Sequence, residues 1–305
     1  MKVFRHFPKF PTEPVALAIG NFDGIHLGHR YLLSKLIEIA ETSRIGKAVL
    51  TFEPHPREYF NPQNAPARLT SLREKLEWFE YANVDKVYIC KFNKEFSQLS
   101  SQSFIDKVLI GSLNAQKIVV GDDFRFGKGR EGEVGDFIRA GFQTVCLPDL
   151  IQNGSRVSST LIREALALGN LDTATHLLGR AYSISGKVIH GAKLGRKLGF
   201  PTANVHMRHE RPALLGVYAV KLDGIRGVAN LGVRPTVTGV SKLQLEVHLI
   251  DFDGDLYGKH VHVEFYSKIR NEMKFSGLEA LKVQISRDVE IAKRFFENSD
   301  IRSSK

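Results

Sequence analysis

An alternation of strand-like and helix-like segments runs through the first part of the chain and stops near residue 180, where short strands alone take over. Residues 15–20 form a short apolar run closed by a glycine. Residues 31–40 place Leu32, Leu33, Leu36, Ile37 and Ala40 at helical spacing. Further strands are predicted at 47–52, 86–90, 117–120 and 142–147, and helices at 72–81, 104–113, 159–168 and 172–178. Such alternation predicts right-handed βαβ units, hence an α/β, Rossmann-like parallel sheet whose ligands bind beyond the carboxyl ends of the strands. After Gly179, strands are predicted at 182–189, 217–222, 225–230, 243–251 and 260–266, with Asp223-Gly224 as a two-residue hairpin turn. A helix at 278–296 closes the chain. This second pattern predicts a small antiparallel β-barrel with a terminal helix, and sets two domains, residues 1–181 and 182–305.

Length agrees, because a chain of 305 residues exceeds what one hydrophobic core of roughly 250–300 residues usually organises. Hydrophobic residues make up 43% and charged residues 25%, enough apolar side chains for two cores. No stretch approaches the roughly 20 apolar residues of a membrane span. The start, MKVFRHFPKF, is basic but has no apolar h-region, so no secretory signal is read there. Cys90 and Cys146 stand far apart, in the apolar runs VYIC and TVCLP. They are expected to be two buried, reduced thiols in a cytoplasmic protein. The net charge of +10 raises the question of nucleic acid. The positive residues are dispersed, however, and no face of clustered aromatic and basic residues is evident. The field suits nucleotides and phosphorylated small molecules. Neither nucleic-acid nor membrane partners are expected, and no oligomer is predicted.

The densest motif is GNFDGIHLGH, from Gly20 to His29, at the junction of the first strand and first helix. Gly20, Gly24 and Gly28 permit tight turns and close approach of a phosphate to the backbone. His26 and His29 fall at the helix entrance, where free N–H groups and the helix dipole favour an anion. Two imidazoles there can donate to phosphate oxygens as charge develops. A zinc site would need further ligands at matching spacing, and none is evident. In VSSTLIR, Ser158, Ser159 and Thr160 supply hydroxyls at a helix start, with Arg163 one turn on.

GNFDGIHLGH resembles the HxGH signature of the nucleotidyltransferase superfamily in its flavin-specific form. TFEPHP after the second strand, VGDDFRFG after a later one, and VSSTLIR resemble, in order, the motifs of bacterial FMN adenylyltransferase modules. The resemblance implies ATP and phosphate binding by Gly20, Asn21, Phe22, Asp23, Gly24, His26, His29, Ser159, Thr160 and Arg163, with His26 and His29 catalytic. It implies that Asp123 and Phe124 face the flavin or nucleotide. The implied reaction is attack of the FMN phosphate on the α-phosphorus of ATP, with pyrophosphate leaving and no covalent enzyme intermediate.

The second half has no G-x-x-x-x-G-K-[ST] string, so any kinase there is not a P-loop enzyme. It has instead a glycine- and lysine-bearing loop with Gly191, Lys193 and Gly195, able to wrap phosphates. GFPTAN follows, where Thr202 and Asn204 share a side of an extended segment and offer neutral oxygens of the kind Mg²⁺ accepts. In LEVHLIDF, Glu246 is a carboxylate on the polar side of a strand, suited to take a proton from a hydroxyl. GKVIHGAKLGRKLGFPTAN, GVYAV, GVANLGVRPT, LEVHLIDF and DLYG resemble the riboflavin kinase family in order and spacing. The resemblance implies a six-stranded flavokinase barrel and ATP binding by the glycine loop. It maps Thr202 and Asn204 onto the Mg²⁺–ATP residues, Glu246 onto the catalytic base, and Arg270 onto the flavin side. Together the two resemblances imply a bifunctional enzyme that takes riboflavin to FMN and FMN to FAD, with ATP and a divalent cation. The competing readings are another HxGH nucleotidyltransferase of the pantetheine-phosphate or cytidylyl type, which leaves the second half unexplained, and a basic nucleic-acid-binding protein.

Overall fold

All five residues of VALAI are apolar and buried, which fits a strand covered on both faces. The computed structural model describes residues 1–11, 13–152, 154–191, 194–208, 211–234 and 242–303. VALAI is β2 (Val15–Ile19) of a six-stranded, all-parallel sheet with β1 (Lys2–Phe4), β3 (Gly46–Glu53), β4 (Lys86–Lys91), β5 (Ala115–Gly121) and β6 (Gln143–Leu147). The strand order is β1-β4-β3-β2-β5-β6. Period-2 alternation divides β2 between two cores. Val15, Leu17 and Ile19 pack with Phe104, Phe126 and Phe137, while Ala16 and Ala18 meet Leu33 and Leu36 of the helix Leu27–Ser43 and Phe79 of the helix Leu72–Tyr81. The chain winds outward from β2 through β3 to β4, then returns to lay β5 on the other side of β2. The carboxyl ends of β2 and β5 therefore flank the point where the winding reverses, which is where open α/β sheets hold their ligands.

The predicted strands and helices of this half are present with ends moved by a few residues. The segment predicted as a helix at 104–113 is a π-helix over Phe104–Ile110. Strand β1 adds an edge that no periodicity announced, because three residues carry no pattern and their pairing with β4 is set from a distance. One expectation is corrected. Cys90 is buried, but Cys146 is exposed. The apolar run TVCLP lies on β6, the last strand of the sheet, where no further strand covers it.

After the hairpin of β7 (Ile151–Gln152) and β8 (Ser155–Arg156), the second pattern closes into a barrel. Its strands are β9 (Tyr182–Ile189), β10 (Thr202–Met207), β11 (Gly216–Leu222), β12 (Ile225–Arg234), β13 (Lys242–Leu249) and β14 (His260–Arg270). All neighbours are antiparallel, in the closed order β10-β13-β12-β11-β14-β9. Asp223 (φ 46°) and Gly224 (φ 86°) both take left-handed backbone between paired Leu222 and Ile225, the geometry of a type I′ hairpin. Tyr218, Val220, Leu245, Val247, Val263 and Phe265 fill the interior, each with no exposed surface. On the outer face Val217, Ala219 and Val228 are covered by Val289, Ala292 and Phe296 of the helix Leu278–Ser303.

Contacts divide the chain into two compact units, Met1–Pro66 with Thr70–Ser159, and Ala67–Leu69 with Thr160–Lys305. The helix Leu171–Leu178 falls in the second unit because its buried Leu171, Ala174, Leu177 and Leu178 serve a face that packs on β9 and β14.

The two thiols differ in a measurable way. Burial pushes the Cys90 thiol up to about 12, so it carries almost no reactive thiolate near neutrality. Titration of the native chain with a chromogenic disulfide reagent at mildly alkaline pH is expected to label Cys146 readily, and Cys90 only after denaturant is added.

Candidate active sites

The first centre is built where β2 ends. Gly20 N–H donates to the Leu50 carbonyl (3.1 Å), still in step with the sheet. The chain then reverses through Phe22 (φ 51°), Gly24 (φ 87°) and Ile25 (φ 41°). Asp23 is buried, and its Oδ1 accepts from the N–H of Thr70 (3.0 Å) and from its hydroxyl (3.3 Å), while Gly24 N–H donates to Thr70 Oγ1 (2.9 Å). Ser159 Oγ donates to the Asp23 carbonyl at 2.8 Å. The loop so fixed delivers His26 as the N-cap of the helix Leu27–Ser43, a position usually held by Ser, Thr, Asp or Asn. His26 Nδ1 accepts from His29 N–H at 3.3 Å, which leaves the proton of the neutral ring on Nε2. The two imidazoles stack at 3.7 Å and 15°. A Cβ on Gly28 would lie 3.2 Å from the His26 ring, so the glycine of His-x-Gly-His leaves room for that stack.

At the end of β5 lies Asp123, exposed, its Oδ2 accepting from Arg156 at 2.7 Å, while Arg156 Nε also reaches Asp149 at 2.8 Å. The hydrogen bond that Arg156 donates to Asp123 holds its guanidinium more firmly protonated. Desolvation lifts the Asp149 carboxyl above its ordinary value, against the pull of Arg156. The half-buried Phe124 ring stacks on Phe126 (5.9 Å) and Phe137 (6.1 Å) at the margin of the core. Ser159 thus joins His26 and His29 in the first unit, whereas Thr160 and Arg163 belong to the second, where Arg163 Nε donates to the Ala67 carbonyl at 2.6 Å.

The second centre is a cavity of about 360 Å³ on the outer face of the barrel, roofed by Leu281, Ile285 and Asp288 of the last helix. Its wall follows from register. Asn204, Glu246, Asn230, Val217 and Arg270 stand opposite one another in turn across β10, β13, β12, β11 and β14. Directly opposed residues share a face, and all five line the cavity. Thr202, His248 and Val228 form the next row. The register of β11 with β14 shifts between Val217 and Tyr218, pairing Val217 with Arg270 although Tyr218 pairs with Lys268. A regular ladder would set Ile269 there; the bulge brings in the arginine. Arg270 then grips Asp288 with Nε (3.0 Å) and Nη2 (2.8 Å), and Gln284 Nε2 also donates to Asp288 at 2.8 Å.

Gln244 Nε2 donates to Asn204 Oδ1 at 2.6 Å. Gly191 passes so close to the Asn204 amide that no Cβ fits there, and a Cβ on Gly195 would strike the Phe200 carbonyl. The glycine- and lysine-bearing loop winds one helical turn, Leu194–Lys197. Lys193 lies outside the described residues. Among positions that sequence reasoning did not single out, Gln244 and Asn230 line the cavity and Asp288 anchors its arginine. Gln244 was legible in principle, two residues before Glu246 on the same strand and so on the same face. Asp288 was not, since nothing local ties it to Arg270.

A doubly wound sheet with a stacked histidine pair at its reversal point, followed by a closed barrel with a carboxylate in a polar cavity wall, defines a two-centred nucleotide-dependent transferase. The FAD synthetase family model matches residues 9–161 and the riboflavin kinase family model residues 178–296. The bifunctional riboflavin kinase/FMN adenylyltransferase of Escherichia coli K12 is 46% identical over 97% of this chain and 98% of its own length. That of Haemophilus influenzae is 46% identical over 93% and 94%. A solved structure described as a macrolide-efflux protein from Streptococcus pneumoniae superposes with a TM-score of 0.80 at 28% identity, covering 96% of this chain and 99% of that one. The chain belongs to the bifunctional riboflavin kinase/FMN adenylyltransferase family, and is an enzyme of flavin-cofactor biosynthesis with both catalytic domains. No helix among the described residues is long and apolar enough to cross a membrane.

Replacing Asp288 by alanine is expected to lower unfolding stability by about 3–5 kcal/mol, because the largely buried Arg270 is left without its carboxylate. Asp288→Asn keeps an acceptor and is expected to lose less. Urea denaturation of both variants checks this.

Proposed function

We propose that the barrel phosphorylates riboflavin and that the parallel-sheet domain then transfers AMP to the resulting FMN, in the cytoplasm, where the unpaired Cys90 and Cys146 stay reduced. The observation that carries this reading is that His26, His29 and Ser159 assemble within one unit and the Glu246 cavity within the other, each from its own residues.

In the barrel, Glu246 accepts the proton of the riboflavin primary hydroxyl as its oxygen bonds to the γ-phosphorus of ATP and the bond to the β-phosphate oxygen breaks, releasing ADP. Asn204 and Asn230, opposite Glu246 on either side, flank the reacting hydroxyl. Arg270 directs its guanidinium into the same cavity, steadied by Asp288, on the flavin side. A divalent cation such as Mg²⁺ fits Thr202 and Asn204. Both offer neutral oxygens on one side of β10, and Gly191 leaves the Asn204 amide the space it occupies. When bound, such an ion neutralises charge on the ATP phosphates. Gly191 and Gly195 let the backbone close around those phosphates, with Lys193 as their counter-charge.

In the first domain, an oxygen of the FMN phosphate bonds to the α-phosphorus of ATP while the bond to the β-phosphate bridge breaks, and pyrophosphate departs. His26, with its proton on Nε2, and His29 beside it donate to the phosphate oxygens at the start of their helix. Gly20 to Gly24 shape the backbone cradle, and Ser159 assists at the phosphates. Asp123 and Phe124, at the end of β5, border the flavin. No proton need leave the attacking phosphate, so positioning and charge stabilisation carry the step.

Chromatography of products from riboflavin, ATP and Mg²⁺ tests the whole reading, with FMN expected first and FAD second. His29→Ala is expected to lower FAD formation by about 10²–10³-fold and leave FMN formation intact. Glu246→Gln is expected to lower FMN formation by about 10²–10⁴-fold and spare conversion of supplied FMN. Excess chelator is expected to stop the kinase; undiminished turnover would reject a cation at Thr202 and Asn204.

A further inference from the structure

Buried polar side chains are not spread evenly through this protein. Of the eleven found among the described residues, Asp23, His26, Thr51, Thr70, Ser71, Glu74 and Lys75 lie in the GNFDG loop and its helix entrance, or in segments that bond to it. Lys75 is 1% exposed, an unusual place for an amine, since lysine is almost never fully buried. It stands on the helix Leu72–Tyr81, whose start at Ser71 is fixed by a capping box with Glu74. From there Nζ donates to the Asn21 carbonyl at 3.3 Å, and Thr51 Oγ1 donates to the same oxygen at 3.3 Å.

These donors act at a strained point. Phe22, the next residue, has φ 51°, and Ile25 has φ 41°, unfavourable conformations for a bulky and a β-branched side chain. Such backbone costs about 1–3 kcal/mol per residue and persists only where its surroundings over-determine it. Thr70 does so at Asp23 and Gly24. Lys75 and Thr51 do so at the Asn21 carbonyl. In a trans peptide the carbonyl and the following N–H point opposite ways. Drawing the Asn21 oxygen toward Lys75 and Thr51 therefore turns the Phe22 N–H away from them.

We propose that Lys75 is a positioning residue of the adenylyltransferase centre: with Thr51, its buried amine holds the Asn21–Phe22 peptide so that the Phe22 N–H is presented to the transferring phosphate. This rests on the assignment of FMN adenylylation to the His26–His29 centre. Lys75 touches no substrate. Its effect falls on how well the loop fits the transition state, so it appears in kcat more than in KM.

The test uses the full-length chain with Lys75→Gln, Lys75→Met, Thr51→Val and the Lys75→Gln/Thr51→Val double variant, beside His29→Ala. FAD formation from FMN and ATP, FMN formation from riboflavin, and thermal midpoints are measured for each. The single Lys75 and Thr51 variants are expected to lower kcat for FAD formation by about 10- to 100-fold, with KM for FMN and ATP within about threefold and FMN formation unchanged. Lys75→Gln, which keeps an N–H donor, is expected to retain more activity than Lys75→Met. The double variant is expected to fall little below the worse single one, because both donors act through one carbonyl. Thr51→Val is nearly isosteric and keeps the test open where a Lys75 variant does not fold. FAD formation retained in Lys75→Gln and Thr51→Val, with His29→Ala inactive, overturns the proposal alone. So does equal loss of both activities, which marks a general folding role. FAD formation retained in His29→Ala overturns the assignment of the centre on which the proposal rests.

Discussion

The Asp23 carboxylate, taken out of water and satisfied by Thr70, is the interaction on which the adenylyltransferase half turns. A hydrogen bond to a buried charge contributes about 1.5–3 kcal/mol, and leaving such a group unmet costs more. The loop therefore has one good conformation rather than several. That conformation sets the direction in which the helix Leu27–Ser43 begins, and with it the stacked imidazoles of His26 and His29. The sheet supplies rigidity from the other side, since β2 is buried along its whole length and cannot shift without breaking two cores. Strain at Phe22, Gly24 and Ile25 is thus held between an apolar floor and a polar clamp.

The barrel solves a different problem with the same economy. Closure removes every edge and leaves register as the one variable that decides which side chains share a face. Once β13 is in register with β10 and β12, Glu246 stands between Asn204 and Asn230 with no further provision. The interior is filled by apolar residues, so the cavity must lie outside it, under the last helix. Arg270 and Asp288 bind that helix to the strand that forms one side of the cavity. Stability and site geometry are carried there by the same ion pair.

Much of this was legible in the chain itself. The fused patterns, the motif strings and the Asp223-Gly224 turn pointed to the two architectures and to most of the polar residues that gather at the two centres. Local information was sufficient because helix and strand periods repeat within a few residues, and because glycines and paired histidines leave a mark wherever a backbone must turn near an anion. The Ser71–Glu74 capping box also had a readable pattern, although nothing in it told that the same helix sends Lys75 to the Asn21 carbonyl of the GNFDG loop. Cys146 misled for a related reason: an apolar run names a strand but not whether that strand is central or last in its sheet.

By itself the sequence determined the kinds of element, their order, the family and the chemical groups available for two phosphate reactions. Only the tertiary structure decided which of those groups meet. The bulge that sets Arg270 opposite Val217, the grip of Asp288 on that arginine, the approach of Lys75 to Asn21 and the open side of β6 all arise between segments far apart in the chain. Side-chain direction within a strand or helix follows from a local period, whereas pairing partners and burial follow from how the finished layers close on one another.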